Sequence, residues 1–204
     1  MNNTVQKSIN ISLLCISLGL VPNGRLQCGE LIASKTPDAN LQSSYIVQSK
    51  YGLSKANQKI LKAITNIEIK SSLKNVINAL TDFNNYPKIF PNIQSHKIIK
   101  QEDNFVLTER FLKPMFIYKQ TKHNVIYNLS NCPSELTWVI PANNNVSYAS
   151  GKWVVESVSP QVTRVTYSIK VIPQKSVPPG FGNMVLNFIQ NDAVKSLKKY
   201  CEAS

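Results

Sequence analysis

The chain reads as an α+β protein in which an antiparallel sheet carries one apolar face and a long C-terminal helix covers that face. Three observations predict this. In "SGKWVVES" (150–157), Gly151, Trp153 and Val155 alternate with Lys152, Val154 and Glu156. In "RVTYSIKVI" (164–172), Val165, Tyr167, Ile169 and Val171 alternate with Arg164, Thr166, Ser168 and Lys170. A period of two puts each apolar set on one side of a strand and leaves the other side wet. In "FGNMVLNFIQNDAVKSLKKYCEA" (181–203), Phe181, Met184, Val185, Phe188, Ile189, Ala193, Leu197 and Cys201 recur at helical spacing and form one stripe. A twisted sheet must cover its apolar face, and this helix is the only segment long enough to do so.

The 204 residues, 43% of them hydrophobic, are enough for one compact domain and an appendage. Residues 1–8 are polar, and "INISLLCISLGLV" (9–21) is an apolar run of signal-peptide length, too short to span a bilayer as a helix. The Pro22-Asn23-Gly24 break after it suits a cleaved segment better than a buried helix. We expect a signal peptide over 1–28, with cleavage after Cys28 or after Ala33, and hence export to a periplasm or the exterior. Residues 29–60 are polar without a clear period until their end and read as a linker or loose N-terminal arm. The folded unit is then 61–204, beginning near Leu61.

Within it, "AITNIEIK" (63–70) has strand character, and "SLKNVINALTDF" (72–83) places Leu73, Val76, Ile77 and Leu80 on one side of a helix. The aromatic, proline-containing segment "LTDFNNYPKIFPNI" (80–93) breaks that helix. Four strands follow, "SHKIIKQ" (95–101), "FVLTERF" (105–111), "FIYKQTKHNVIYN" (116–128) and "SELTWVI" (134–140), joined by short polar or Pro-containing turns as hairpins require. The two alternating strands and the terminal helix complete the order.

The balance of 23 Lys+Arg against 11 Asp+Glu, a formal +12, favours an anionic partner. The lysines are dispersed and not interleaved with aromatics, so a membrane surface is expected and nucleic acid is not. Nucleophile elbow, Gly-rich phosphate loop and metal-ligand spacing are all missing from the sequence, and neither catalytic residues, a cofactor nor a metal is expected. With the signal removed, Cys132 and Cys201 are available to pair in an oxidising compartment; the plainer role for Cys201 is packing on the last helix.

The run "GKWVVESVSPQVTRVTYSIKVIPQKSVPPGFGNMVLNFI" (151–189) resembles the second half of a START domain. That lipid-transfer family repeats a Gly-x-Trp strand, a Thr-x-Val-x-Tyr strand, a proline, and a Pro-Pro-x-aromatic-x-Asn start of the last helix. The segment at 80–93 is similar to the Asp-x-x-x-Tyr-Pro segment of the wider START-like superfamily (SRPBCC), which includes coenzyme-Q-binding START-like proteins and polyketide cyclases. The resemblance covers roughly 61–204. It implies a helix-grip fold: a curved antiparallel sheet wrapped around the C-terminal helix, with an elongated apolar cavity between them. This chain is shorter than the larger START domains, so a simpler N-terminal half is expected.

The resemblance further implies that Phe83, Tyr86, Pro87 and Phe90 plug one mouth of the cavity, and that exchange uses the 83–93 segment with the Pro178-Pro179-Gly180 hinge. Trp138, Trp153, Tyr167 and Ile169 belong to strand faces that serve as core or cavity wall, and Met184, Val185 and Phe188 to the helix stripe opposite them. Glu109 shares strand parity with Phe105, Leu107 and Phe111, whereas Arg110 has the opposite parity, so one of the two points inward; Tyr118 and His123 are further polar candidates. The expected activity is non-catalytic binding, and transfer, of one lipid-like molecule (sterol, phospholipid, fatty acid or quinone) by a monomer. Two alternatives remain open: a polyketide cyclase using Glu109, Tyr118 or His123, and an interaction module of the same fold.

Overall fold

The computed structural model describes residues 60–114, 120–142, 146–173 and 181–203. The expected signal peptide, the arm, Tyr118 and the 178–180 hinge lie outside them. Seven strands form one antiparallel sheet: β1 (Leu61–Ile69), β2 (Ile93–Glu102), β3 (Phe105–Leu112), β4 (Thr121–Asn128), β5 (Glu135–Ile140), β6 (Val146–Ser159) and β7 (Val162–Pro173). Three helices accompany them, α1 (Leu73–Thr81), the one-turn α2 (Tyr86–Ile89) and α3 (Phe181–Glu202), with a 3₁₀ turn at Phe83–Asn85.

The strand order is β1-β7-β6-β5-β4-β3-β2. Strands β2 to β7 are therefore a meander of neighbours, while β1 and β2, adjacent in sequence, take opposite edges. Helices α1 and α2 make the crossing between those edges. Ser72 starts α1 by accepting a hydrogen bond from the Asn75 amide, satisfying one of the free donors of the first turn. Asp103, with φ of 24°, occupies the tight β2–β3 turn, where a short polar side chain tolerates the left-handed region. Register shifts within β2–β3 and near both ends of β6 bend the sheet.

The alternation read in the sequence is present. Trp153 and Val155 on β6 and Val165, Tyr167 and Ile169 on β7 are buried on the concave face, together with Ala63 of β1, Val106 of β3, Val125 and Tyr127 of β4 and Leu136 and Trp138 of β5. At about 1.5 Å per residue, the 22 residues of α3 reach some 33 Å. Helix α3 packs on β1, β7 and α1.

Its buried side differs in part from the expected stripe. Met184 and Phe188 are 52% and 47% exposed, while Val185, Leu197 and Cys201 of the stripe are buried as expected and are joined on the inward face by Gly182, Leu186, Gln190 and Val194. Gln190 is inward because its amide donates to the Tyr167 carbonyl at 2.8 Å, which satisfies a polar group inside the core.

The convex face carries a second, smaller apolar cluster of Phe105, Ile126, Val139, Tyr148 and Ile172. Around it the surface is charged, with Lys122–Glu109, Lys152–Glu135 and Arg164–Glu68 ion pairs. Cys132 is held in a disulfide whereas Cys201 is a buried free thiol, so these two do not pair. Burial pushes the Cys201 thiol up to about 12, which leaves it protonated and inert at neutral pH.

Candidate functional site

Between the concave face and α3 lies a cavity of about 270 Å³. Its walls come from every major element: Tyr86 and Phe90 from the α2 region, Arg110 and Leu112 from β3, His123 and Tyr127 from β4, Trp138 and Ile140 from β5, Ala149 and Trp153 from β6, Tyr167, Ile169 and Val171 from β7, and Val185, Leu186, Ile189 and Ala193 from α3. Asn92, Lys113, Thr121 and Asp192, polar and at least partly exposed, mark the mouth. There Asn92 Nδ2 donates to the Asp192 carboxylate at 2.7 Å and ties the segment before β2 to α3.

At the opposite end the cavity has a floor of packed rings. Phe83 is fully buried, 4.5 Å from Tyr127 and 5.3 Å from Tyr86 between ring centroids. Tyr86 in turn stacks on His96 at 4.7 Å and meets Phe90 edge-on at 5.0 Å. The Tyr86 hydroxyl donates to the Leu80 carbonyl at 2.7 Å, which satisfies the one polar atom of an otherwise apolar contact. Along the wall Trp153 lies flat on Tyr167, with centroids 3.8 Å apart and planes 14° from parallel.

Three concave-face residues stand side by side across neighbouring strands. His96 of β2 pairs with Arg110 of β3, and Arg110 with His123 of β4. The Phe83 carbonyl, 2.8 Å from His96 Nδ1, can only accept, so Nδ1 carries the proton and Nε2 keeps a lone pair without a partner. Burial lowers His96 to about 4, partly offset by the Phe83 bond and reinforced by the Arg110 charge. His123 is lowered to about 4 by the same desolvation and the same charge. Both imidazoles are therefore neutral at pH 7, and the ladder carries a single positive charge, on Arg110. Burial also raises the phenols of Tyr86, Tyr127 and Tyr167, so all three are hydrogen-bonding groups and not bases.

Of the residues anticipated from sequence, Tyr86, Phe90, Arg110, Trp138, Trp153, Tyr167, Ile169 and Val185 line the cavity. Four stand elsewhere. Phe83 forms the floor beneath the lining, and Glu109 sits on the other face, paired with Lys122. Met184 and Phe188 lie at the outer edge of the stripe, whose Val185, Ile189, Ala193, Leu197 and Cys201 face inward. The inward choice between Glu109 and Arg110 falls on Arg110. His123, a further candidate, lines the cavity too, as does Ile189 of the expected stripe. Tyr127, Leu112 and Leu186 are lining groups that sequence reasoning did not single out, and nor did it single out His96 beneath them. Register is the signal for two of these: Tyr127 lies opposite Trp138, and His96 opposite Arg110. No group of three or more metal-ligating side chains occurs among the described residues.

No family model matches the sequence, and no curated protein matches it at a significant level. Solved structures do match in three dimensions. The Zhui aromatase/cyclase from Streptomyces sp. R1128 superposes with a TM-score of 0.63 at 11% identity, over 71% of this chain and 94% of that one. A START superfamily protein from Mycobacterium smegmatis gives 0.61 at 14% identity, over 70% and 97%. The STAR-related lipid transfer protein from Xanthomonas axonopodis gives 0.57 at 14% identity, over 69% and 85%. The strand order, the long terminal helix and these likenesses together establish that the chain has the START-like helix-grip fold, shared by lipid-transfer and aromatase/cyclase proteins alike.

Proposed function

We propose that this protein is a carrier that holds one lipid-like molecule between the concave sheet and α3, without changing it chemically. The observation that carries this reading is the cavity itself: a space of about 270 Å³, open at a mouth and walled largely by aliphatic and aromatic side chains from all layers of the fold. A cavity of that size holds many waters, and a single chain of about ten carbons fits within it. Burying about ten methylenes at about 0.8 kcal/mol each gives roughly 8 kcal/mol, which leaves useful affinity after ordering costs. A single-chain lipid or a small ring system suits that space.

The formal charge of +12 supports docking to anionic membranes, where each Lys or Arg near the surface contributes about 1 kcal/mol. The apolar run at 9–21 supports action outside the cytoplasm. Exchange at the membrane then needs the mouth to open, and the Asn92–Asp192 bond is the contact that has to break.

A ring-closing activity on the same ligand is the second reading, and His123 favours it. A neutral imidazole on the cavity wall is chemically able to accept a proton from a bound substrate. The two readings part in one experiment. Native mass spectrometry of the protein purified from its own host identifies what co-purifies, and incubation with that molecule shows whether it is returned unchanged. A carrier returns it intact; a product of new mass supports the cyclase. A protein that arrives empty and takes up no sterol, fatty acid or quinone analogue in solution refutes both.

A further inference from the structure

Arg110 is more than an apolar wall requires. Its Nε is buried without a hydrogen-bond partner, and no carboxylate among the described residues stands within ion-pairing distance of its guanidinium. A guanidinium keeps its proton at any ordinary pH, so its charge cannot be shed to relieve the burial. No neighbouring group among the described residues supplies an opposite charge either. Glu109 faces away and is paired with Lys122, while His96 and His123 flank Arg110 on both sides as neutral rings. Asp192 also lines the cavity, but at its mouth, where it accepts from Asn92 at 2.7 Å. Arg110 has two aromatic neighbours: its guanidinium donates toward the Tyr127 hydroxyl, a neutral acceptor, and the Trp138 centroid lies 5.8 Å from Cζ. A face-on indole steadies a guanidinium and leaves its N–H edge free for an acceptor.

We propose that Arg110 is the head-group anchor of the cavity and that the ligand is a single-chain monocarboxylate, its carboxylate on the guanidinium fork and its apolar body between Trp153 and α3. This deepens the carrier reading and rests on it. One cation flanked by two neutral imidazoles matches one negative charge. A phosphate monoester carries nearly two and asks for a second cation beside the first, whereas the other cation of the lining, Lys113, stands exposed at the mouth. A chain of about ten carbons fits the cavity.

The test compares four probes of equal length: decanoate, methyl decanoate, decanol and decyl phosphate. Both tryptophans of the chain, Trp138 and Trp153, line the cavity, so intrinsic emission reports loading directly, with calorimetry as the second readout. We expect decanoate to bind about tenfold to a hundredfold more tightly than its methyl ester or decanol, and more tightly than decyl phosphate. In Arg110→Met, which keeps a long side chain on Trp138, the acid should fall to the ester's affinity; in Arg110→Lys a part of the preference should return, since the charge survives and the fork does not. Equal affinity of acid and ester in the wild type overturns the anchor while leaving the carrier intact, and so does an undiminished acid preference in a folded Arg110→Met protein. Tighter binding of decyl phosphate overturns the choice of carboxylate. If none of the four binds, the anchor falls, and the carrier reading is then decided by the sterol and quinone uptake described above. Should Arg110→Met fail to fold, the acid-to-ester ratio of the wild type decides by itself.

Discussion

The floor of the concave face and the hollow above it are built from the same materials and packed to opposite ends. In the floor, Phe83, Tyr86, His96 and Tyr127 meet ring against ring at centroid distances of 4.5 to 6.1 Å. In the hollow, Phe90, Trp153 and Tyr167 each touch one neighbour closely and turn another side toward about 270 Å³ of open space. Burial alone does not distinguish them, since Trp153 at 4% is as covered as the floor. The difference is whether a side chain has partners on all sides. A ring that lacks them on one side loses those dispersion contacts and offers them to a ligand.

Acid should act on both regions at once and gives the largest expected effect. In an unfolded chain His96 and His123 take up protons as the pH falls through about 6.5; in the fold each resists to about 4. Between those values the unfolded state binds more protons, so stability is complete above pH 6.5 and is lost as the pH drops toward 4, on the order of 3 kcal/mol per histidine. Urea midpoints at pH 7.5, 5.5 and 4.5 should fall in sequence. A midpoint unchanged down to 4.5 would mean that protons reach the imidazoles within the fold.

Truncation should separate the two regions. Phe83→Ala removes a ring packed on every side and should cost roughly 3 to 5 kcal/mol. Phe90→Ala removes a ring already bordering open space and should cost less, about half as much. Denaturant unfolding of the pair tests this, and equal losses would show that the hollow is packed like the floor.

Filling is the converse experiment. Val185→Trp places a large ring in the hollow, and overpacking should cost about 1 to 3 kcal/mol of stability while ligand uptake falls at least about tenfold. A folded Val185→Trp protein with wild-type uptake would place the ligand elsewhere. The smallest effect belongs to a residue remote from both regions. Lys198, bonded to Glu202 and to the Glu68 carbonyl, lies on the surface, and Lys198→Ala should cost under about 1 kcal/mol and leave uptake untouched.

How much of this was legible depended on which residues carried the signal. The β6 and β7 strands were readable because Lys152, Glu156, Arg164 and Lys170 leave their outer faces polar, so alternation has one meaning. Strand β3 was not, because both of its faces are apolar: Phe105 and Leu107 build the convex cluster while Val106 and Leu112 face inward. Parity could say that Glu109 and Arg110 oppose each other and not which is inside. Helix α3 kept Val185, Ile189, Ala193, Leu197 and Cys201 inward as expected but turned Met184 and Phe188 out, for a related reason. Its apolar residues spread over more than one face, and the face that packs contains Gly182, which a side chain would bring against Leu61, and Gln190, which hydropathy assigns to solvent. The ladder of His96, Arg110 and His123 depends on register across three strands, and the register shifts in β2–β3 leave no local trace that spacing alone reveals.

The position of α3 in the chain also has a consequence for assembly. Strands β2 to β7 pair only with sequence neighbours, but β1 must find β7, with Leu61 opposite Val171, and the concave face stays bare until residues 181–202 are made. Nearly the whole sheet can form before its cover exists. The emerging chain therefore displays an aromatic, adhesive surface for the longest part of its synthesis, and closure is a late, non-local event that loop entropy makes slow. A ligand present during that interval would meet its binding surface before the lid arrives, so loading while folding is open to this architecture as a route that never requires the mouth to open.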